Sequence, residues 1–331
     1  MSEDASGTYS FDRILNFRDV GKTINQFTGK RLVAEGRLFR SARPDDASIS
    51  DREALQNGVG IKTIMDLRTK SEHVKQAKKR EGELKVPALL KSNDALAQPV
   101  QIPGLQYLNI NINGKGFERT IVWRLSFWNI FKVLILMLFG YRMEAISILG
   151  REVMKPRGLI GLGYDTIDYC GVELATALRE FASPPRYPVL VHCRGLIGLG
   201  YDTIDYCGVE LATALREFAS PPRYPVLVHC TQGKDRTGMV ICLLLFLLDV
   251  PIEAVIYDYT LSEAGLLPER EERMVEIREI GLTEEFADAP REWIEKIYEY
   301  LGEKYGGVRE YLEAIGVDEE TQAKIIEALL G

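Results

Sequence analysis

The sequence lacks an excess of positive charge and has very few histidines. It contains 41 lysines and arginines against 48 aspartates and glutamates, a net charge of −7, so the chain as a whole repels nucleic acid. Any anion that it binds must therefore be attracted by a local site. Only three histidines occur, and His192 and His229 are copies of one another, so the sequence predicts neither a metal centre nor a cofactor.

Long apolar runs are also scarce. The first residues, MSEDASGTYSFDRILNF, contain none, so we expect no signal peptide. The longest uncharged run in the hydrophobic stretch Val122–Leu149 is Val133–Tyr141, about half of the roughly 20 residues that a transmembrane helix needs. We expect residues 115–150 to form hydrophobic helices that cap the core or cover the active site as a lid. Weak contact with a membrane surface is a third interpretation, and no transmembrane segment is expected.

The cysteine content argues against a disulfide framework. The five cysteines are an odd number, and four of them form two pairs of copies, Cys170 with Cys207 and Cys193 with Cys230. A reducing compartment is the simpler interpretation, and we expect a cytoplasmic protein. Cys242 lies within VICLLLFLL and is predicted to be a core residue.

Two consecutive segments, 157–193 and 194–230, are identical over 37 residues. Each contains an amphipathic helix, the helix breaker SPPRYP and the apolar run VLVHC, which is typical of a strand buried on both faces. The second copy continues directly into TQGKDRTG, so we expect the fold to use its strand. Three arrangements of the first copy are then open. It can add a helix and a strand at the edge of the sheet, or it can form a poorly packed insertion. In the third arrangement the helix of the first copy takes the native position, and the residues between this helix and the second strand loop out.

The segment after the second strand combines a cysteine with an arginine six positions later, from Cys230 to Arg236. A short loop between a strand and a helix can turn its backbone N–H groups inward, and these donors form a cradle for an anion at the helix N-terminus. Arg236 adds a planar guanidinium that matches two phosphate oxygens, and Thr237 can donate a hydrogen bond to the sulfur. The same positive field favours the thiolate of Cys230, which is the nucleophilic form. Gly233 and Gly238 are expected to let the backbone pass close to the ligand.

The segment HCTQGKDRTG strongly resembles the cysteine-phosphatase signature HCxxGxxR[ST]G. With GKD inside it, the segment is most similar to the atypical tyrosine and dual-specificity, lipid-type phosphatases of fungi and bacteria. Further stretches are similar to that family in the same order along the chain, namely NFRDVG, LFRSARP, IMDLRTKSE, DYTLSE and KYGGVREYLEAIGV. The resemblance spans nearly the whole chain and implies a single phosphatase domain over residues 1–331. The departure is the extra 37-residue unit.

The resemblance implies a role for each residue of this loop. Cys230 is the nucleophile, Arg236 is the phosphate clamp, and His229 supports the loop by a hydrogen bond. In relatives the lysine of the loop is linked to phosphoinositide turnover alongside phosphotyrosine. The remaining loop residues, which bind the substrate or its phosphate, are Thr231, Gln232, Gly233, Lys234, Asp235 and Thr237.

The leaving group needs a proton, so a general acid is required. Asp235 is the first candidate, although it can instead pair with a neighbouring cation of the loop. Asp66, at the end of the predicted strand IKTIMD, is the second candidate. Asp202 and Asp205 lie near the position of a mobile acid in many relatives, but their distance to the nucleophile crosses the duplicated unit.

Other cationic and nucleophilic residues have simpler interpretations. Arg18, Arg40 and Arg68 lie at or near predicted strand ends, where they hold an anionic substrate or form ordinary salt bridges. Cys193 follows the same strand sequence as its copy, but Leu199 rather than arginine stands six positions later. We therefore expect Cys193 to be inert.

These patterns predict an α/β protein of the cysteine-phosphatase fold. A mostly parallel sheet of four or five strands should be flanked by helices, with the loop at the carboxyl end of a strand. The predicted function is a metal-independent phosphatase for protein phosphotyrosine, with phosphoserine, phosphothreonine or phosphoinositides as further substrates. The alternatives are a phosphate-binding pseudophosphatase, impaired by the duplicated unit, and a sulfur-transfer enzyme, against which the RTG ending of the loop argues.

Overall fold

A five-stranded sheet forms the centre of the computed structural model, which describes residues 11–69, 72–73, 76, 101–112, 115–139, 141–182 and 224–331. The strands are β1 (Arg18–Asp19), β2 (Leu38–Ser41), β3 (Thr63–Asp66), β4 (Gln106–Asn109) and β5 (Val226–His229). Their order is β1-β2-β5-β3-β4, with β1 antiparallel to β2 and the other neighbours parallel. The mixed α/β class and the mostly parallel sheet expected from the sequence are confirmed.

Strand β5 lies in the middle of the sheet and is completely buried. Its apolar residues contact helices on both faces, as the sequence VLVH predicts for a central parallel strand. The register aligns His229 with Ser41 of β2 on one side and with Asp66 of β3 on the other. Three polar residues therefore meet at the carboxyl edge of the sheet, where open α/β sheets bind ligands.

Helices surround this sheet. Those in the described part of the chain are α1 (Val20–Thr28), α2 (Ile49–Glu53), α3 (Lys115–Trp123), α4 (Phe127–Leu138), α5 (Arg142–Leu149), α6 (Lys155–Tyr169), α7 (Gly171–Ala182), α8 (Asp235–Leu247), α9 (Ile252–Gly265), α10 (Arg270–Glu279), α11 (Arg291–Tyr305), α12 (Val308–Ala314) and α13 (Glu319–Leu329). Short π-helical segments occur at Ala54–Gly58 and Gly150–Met154, and short 3-10 helices at Leu267–Glu269 and Glu284–Ala287.

Helix α8 follows β5 and is the central helix of the core. Every residue from Thr237 to Leu247 is buried, which is the pattern of a helix that is apolar on all sides and enclosed by other elements. It contacts α7, α9 and α12. Cys242 lies within it and is buried, as expected, and burial raises the pKa of its thiol to about 12.

The two identical copies contribute different parts of the core. Helix α7 comes from the first copy, and its residues Leu174, Leu178 and Phe181 are buried in the main core cluster. Strand β5 comes from the second copy. Residues 183–223, which hold the strand of the first copy and the helix of the second, lie outside the described residues. The helix of the first copy and the strand of the second copy are thus both part of the core, which corresponds to the third arrangement predicted from the sequence.

The hydrophobic segment at 115–150 forms α3, α4 and α5. Its inward residues Phe117, Ile121, Leu125, Val133 and Ala145 belong to the main core cluster. Within the described ranges, no helix has both the length and the apolar character needed to span a membrane. The segment therefore covers part of the core, and its role as a lid over the site stays a prediction.

Candidate active site

The segment from Cys230 to Lys234 connects β5 to α8 at the carboxyl edge of the sheet, and Asp235 and Arg236 are the first residues of α8. Cys230 is buried, with 3% of its surface exposed. Five consecutive backbone carbonyls of the loop each accept a hydrogen bond. The pairs are Cys230 O with His229 Nδ1 (3.1 Å), Thr231 O with Arg43 N (3.2 Å), Gln232 O with Asn16 Nδ2 (3.1 Å), Gly233 O with Arg40 Nη2 (2.7 Å) and Lys234 O with Gly238 N (2.6 Å).

These carbonyl contacts set the direction of the amide groups of the loop. In a trans peptide, the C=O of one residue and the N–H of the next point in opposite directions. Asn16, Arg40 and Arg43 hold the carbonyls from outside the loop, so the N–H groups of the following residues face its inner side. The N–H groups of Gln232, Gly233 and Lys234 thus point away from these partners.

Gly233 is required by the close approach of strand β2. Its φ of +66° lies in the left-handed region, and a Cβ at this position would come within 1.9 Å of Ser41 O. A Cβ at Gly238 would meet the ring of Tyr259 at 3.1 Å. Both glycines are therefore explained by packing against neighbouring protein atoms, whereas the sequence analysis assigned them to close approach of the ligand.

A buried ionic network supports the outer side of the loop. Asp258 of α9 accepts hydrogen bonds from Arg18 Nε (2.7 Å) and from Arg40 Nη1, and Arg40 in turn holds Gly233 O. Arg40 and Asp258 are each 1% exposed. Burial by itself would raise the pKa of Asp258, but the charges of Arg18 and Arg40 outweigh it and lower that pKa below its ordinary value. Arg18 and Arg40 are thus committed to ion pairs that position the loop.

Asp66 belongs to a second buried cluster. Arg68 donates to both of its oxygens and also to Asp45, while His229 Nε2 lies 3.5 Å and His73 Nε2 3.6 Å from Asp66 Oδ2. Burial by itself would raise the pKa of Asp66, but His229 and Arg68 outweigh it, and the pKa lies well below the ordinary value.

The surroundings of Asp66 argue against the role of general acid, which stays a prediction. A general acid must carry a proton that it can donate to the leaving group. Asp66 is completely buried and is held as a carboxylate by Arg68. Arg68, like the other two arginines at strand ends, forms salt bridges.

His229 lies between the Asp66 cluster and the cysteine loop. Its ring is fully buried, and Nδ1 contacts Cys230 O. Burial lowers the pKa of His229 below its ordinary value, although the charge of Asp66 acts in the opposite direction. The contact with the loop expected for this histidine is present in the structure.

Arg236 is held in place by Glu72, a residue to which the sequence analysis gave no role. Nη1 of Arg236 donates to Glu72 Oε2 at 2.7 Å, and Nη2 donates to Oε1 at 2.5 Å. Leu67 O accepts a further hydrogen bond from Nη1 at 3.2 Å. Thr231 Oγ1 also donates to Glu72. Burial by itself would raise the pKa of Glu72, but Arg236 outweighs it and lowers this pKa far below its ordinary value.

These contacts leave part of the Arg236 guanidinium available for a ligand. The group has five N–H donors. Glu72 and Leu67 O use three of them, and the N–H of Nε and the second N–H of Nη2 have no partner among the described residues. These two lie on one side of the guanidinium and form a fork that matches two oxygens of a phosphate.

Lys234 and Asp235 point in different directions. Lys234 is fully buried, and its Nζ donates to Phe286 O at 2.9 Å and to Asp288 O at 2.6 Å. The side chain of Asp235 is 41% exposed, and its Oδ1 lies 3.6 Å from Lys234 Nζ. The ammonium group thus fastens the loop to the segment before α11, and the carboxylate of Asp235 reaches solvent.

Thr237 and the aspartates of the duplicated unit complete the set of predicted site residues. Thr237 Oγ1 is buried and has no hydrogen-bond partner among the described residues, so it is available to the sulfur. Asp202 and Asp205 lie outside the described residues. Their copies Asp165 and Asp168 are structural, since the first pairs with Arg124 and Arg157 and the second accepts from Tyr300 and Tyr305.

Comparison with known proteins agrees with this geometry. The model of a family described as the tyrosine phosphatase family matches residues 9–195 and 201–331. A Cupriavidus necator protein, provisionally named a tyrosine-protein phosphatase, is 41% identical over 63 residues. That match covers 19% of this chain and 22% of the relative. Since the family model matches nearly the whole chain, the protein belongs to the tyrosine phosphatase family.

Proposed function

We propose that this protein is a metal-independent phosphatase that hydrolyses phosphomonoesters through a phosphocysteine intermediate on Cys230. The observation that carries the proposal is the set of carbonyls at residues 231–233 that Arg43, Asn16 and Arg40 hold from outside the loop, which directs the N–H groups of the following residues to the inner side, where we expect the phosphate to bind. Arg236 adds two N–H groups that have no partner among the described residues and that match two oxygens of a phosphate. Membership of the tyrosine phosphatase family supports the reaction class.

In the first step the phosphate of the substrate binds the amides and Arg236. The thiolate of Cys230 attacks phosphorus, the S–P bond forms, and the P–O bond to the leaving group breaks. The leaving oxygen takes a proton from Asp235. In the second step water attacks phosphorus, the S–P bond breaks, Asp235 accepts the proton of the water, and inorganic phosphate leaves.

Asp235 is the proposed general acid because of its position and exposure. It is adjacent to Arg236 in the loop, and its side chain is 41% exposed, so it can contact both the leaving group and water. Asp235 Oδ1 lies 3.6 Å from Lys234 Nζ, so the alternative role of Asp235, an ion pair with a neighbouring cation of the loop, is also available to it. The proposed role requires that Asp235 leave this lysine during the reaction.

Phosphotyrosine in proteins is the first proposed substrate class, and phosphoinositides or other phosphoproteins are the second. The buried ammonium of Lys234 donates to Phe286 O and Asp288 O, so we assign this lysine to loop positioning and not to contact with a lipid headgroup. The lipid proposal rests on the resemblance of the loop sequence to lipid-type phosphatases.

The duplicated cysteines provide a matched test of the nucleophile. Hydrolysis of an aryl phosphate is expected to disappear in Cys230→Ser and to persist in Cys193→Ser, whose strand sequence is the same. Acid-quenched reactions with a labelled substrate should contain phosphate bound covalently to the wild-type protein and none in Cys230→Ser. A wild-type protein that binds phosphate but releases none from the ester would instead be the impaired pseudophosphatase.

Substrates whose leaving groups differ in their need for a proton test whether Asp235 is the general acid. Asp235→Asn should slow the hydrolysis of an alkyl-like phosphate by 10²–10⁴-fold, the usual range for loss of a general acid. The same variant should retain most of its activity on an ester whose leaving group needs no proton. An equal loss on both substrates would assign Asp235 to the structure of the loop.

A further inference from the structure

Helix α4 presents apolar side chains to solvent. Phe127 is 77% exposed, Trp128 71% and Leu138 82%. Phe131 and Ile135 extend the same face, since residues three or four positions apart on a helix are neighbours. Single exposed apolar residues are ordinary on protein surfaces, but a contiguous group of this size marks an interaction surface.

The opposite side of α4 accounts for its attachment to the protein. Val133 is buried in the main core cluster, and Ile130, Leu136 and Met137 pack against that cluster. The helix is therefore apolar on both sides. One side packs against the core, and the other side is exposed. Trp123, at the end of α3 and four positions before Phe127, is 74% exposed and is a second exposed tryptophan of this segment. We call Trp123, Phe127, Trp128, Phe131, Ile135 and Leu138 the aromatic face.

The charges around the aromatic face differ from those of the chain as a whole. No aspartate or glutamate occurs between Glu118 and Glu144, whereas this interval holds four cations, Arg119, Arg124, Lys132 and Arg142. Arg124 pairs with Asp165. Lys132 and Arg119 are exposed and form no ion pair with any residue that the structure describes. The segment that carries the apolar surface is thus positively charged in a chain of net charge −7.

We propose that the aromatic face docks on the surface of an anionic lipid bilayer, with α4 lying in the plane of the interface. Exposed tryptophans and phenylalanines beside lysine and arginine are the composition of interfacial helices. The 12 residues of α4 are about 18 Å long, too short for the roughly 30 Å of a hydrocarbon core, so the helix lies along the surface.

A second copy of the chain fits this face less well. In a two-fold pair, the same patch of both subunits would meet. Such a contact would bring Lys132 and Arg119 of both chains to the margin of one apolar interface, where like charges repel. An anionic bilayer offers instead a surface of opposite charge together with an apolar interior.

The three tryptophans of the chain make the test specific. Trp123 and Trp128 lie in the aromatic face, whereas Trp293 is 3% exposed. Vesicles of phosphatidylcholine with phosphatidylserine should shift the tryptophan emission of the wild type to the blue and sediment with the protein. Vesicles of phosphatidylcholine alone should bind more weakly. In Trp123→Phe/Trp128→Phe the remaining Trp293 should show no shift.

Variants of the aromatic face should weaken this binding without affecting the active site. The double variant Phe127→Ser/Phe131→Ser should bind anionic vesicles at least about tenfold more weakly, because two exposed aromatic anchors are lost. Lys132→Glu should weaken binding to anionic vesicles and leave binding to neutral vesicles unchanged. Val172→Ser removes an apolar residue that is 72% exposed outside this face and should have no effect.

Turnover of a soluble aryl phosphate by all variants shows that they are folded. The proposal is overturned if wild type and Phe127→Ser/Phe131→Ser bind the anionic vesicles equally, or if neither sediments with them. A blue shift that develops with protein concentration in lipid-free buffer, together with a doubled mass, would also overturn it and would assign the face to a second copy of the chain.

Discussion

Removal of one copy of the duplicated segment is expected to leave a folded and active protein. Deleting residues 194–230 or residues 157–193 produces the same shortened sequence, because the copies are identical. The structure already joins the helix of one copy to the strand of the other. Tyr224 Oη donates to Phe181 O at 2.8 Å. The end of α7 and Tyr224, two positions before β5, are therefore in direct contact.

In the shortened chain Tyr187 takes the place of Tyr224, six residues after Phe181. Six residues span up to about 20 Å, which is ample for this distance. The connection between Ala182 and the tyrosine falls from 41 residues to four. For flexible connections of these two lengths, the closure entropy differs by about 2 kcal/mol in favour of the shorter one. The shortened protein should therefore be as stable as the full chain or up to about 2 kcal/mol more stable.

Urea unfolding of both proteins, together with aryl phosphate turnover, measures this difference. As a matched control in the full chain, Tyr224→Phe should lose about 1 kcal/mol through its hydrogen bond with Phe181 O, and Tyr187→Phe should lose nothing. A shortened chain that is insoluble, inactive or clearly less stable would refute the reasoning, because it would show that the added residues supply contacts on which the core depends.

Three further predictions concern substitutions, the first two of them at paired positions of the duplicated segments. Leu178→Ala should cost about 2–5 kcal/mol in unfolding free energy because Leu178 is fully buried, whereas Leu215→Ala should cost far less; equal losses would mean that both copies share the core position. Burial lowers the pKa of His229 below its unfolded value of about 6.5. The contribution of this residue to the free energy of unfolding is therefore present above pH 6.5 and is lost as the pH falls toward the folded pKa, by at most about 1.4 kcal/mol per pH unit. Urea midpoints at several pH values should therefore depend less on pH in His229→Asn and be unaffected by His192→Asn, and an unchanged slope in the first variant would contradict this. Gly233→Ala should abolish turnover and lower the melting temperature, since its Cβ would lie 1.9 Å from Ser41 O; an active, stable variant would show that the loop can move away from β2.

Much of the site was predictable from the order of residues in one short stretch. The apolar run before His229, the polar residues up to Arg236 and the apolar run after Gly238 are local patterns, and each predicted its element correctly. The central position of β5 followed from its continuous apolar sequence.

The support of the loop was not predictable in the same way. Asn16 and Arg40 contact Gly233 from 217 and 193 positions away, and Glu72 holds Arg236 from 164 positions away. Such contacts produce no periodic pattern. The stretches NFRDVG, LFRSARP and IMDLRTKSE indicated that these residues belong to one family, and only the fold showed what they touch.

By itself, then, the sequence determined the strand, loop and helix that carry Cys230 and Arg236, because neighbouring residues specify local structure through their pattern of apolar and polar side chains. The tertiary structure alone decided that Asp66 is a buried carboxylate, since its partners come from other elements. It also decided that α7 of the first copy and β5 of the second share one core. Identical segments have identical propensities, so only their connections and packing can distinguish them.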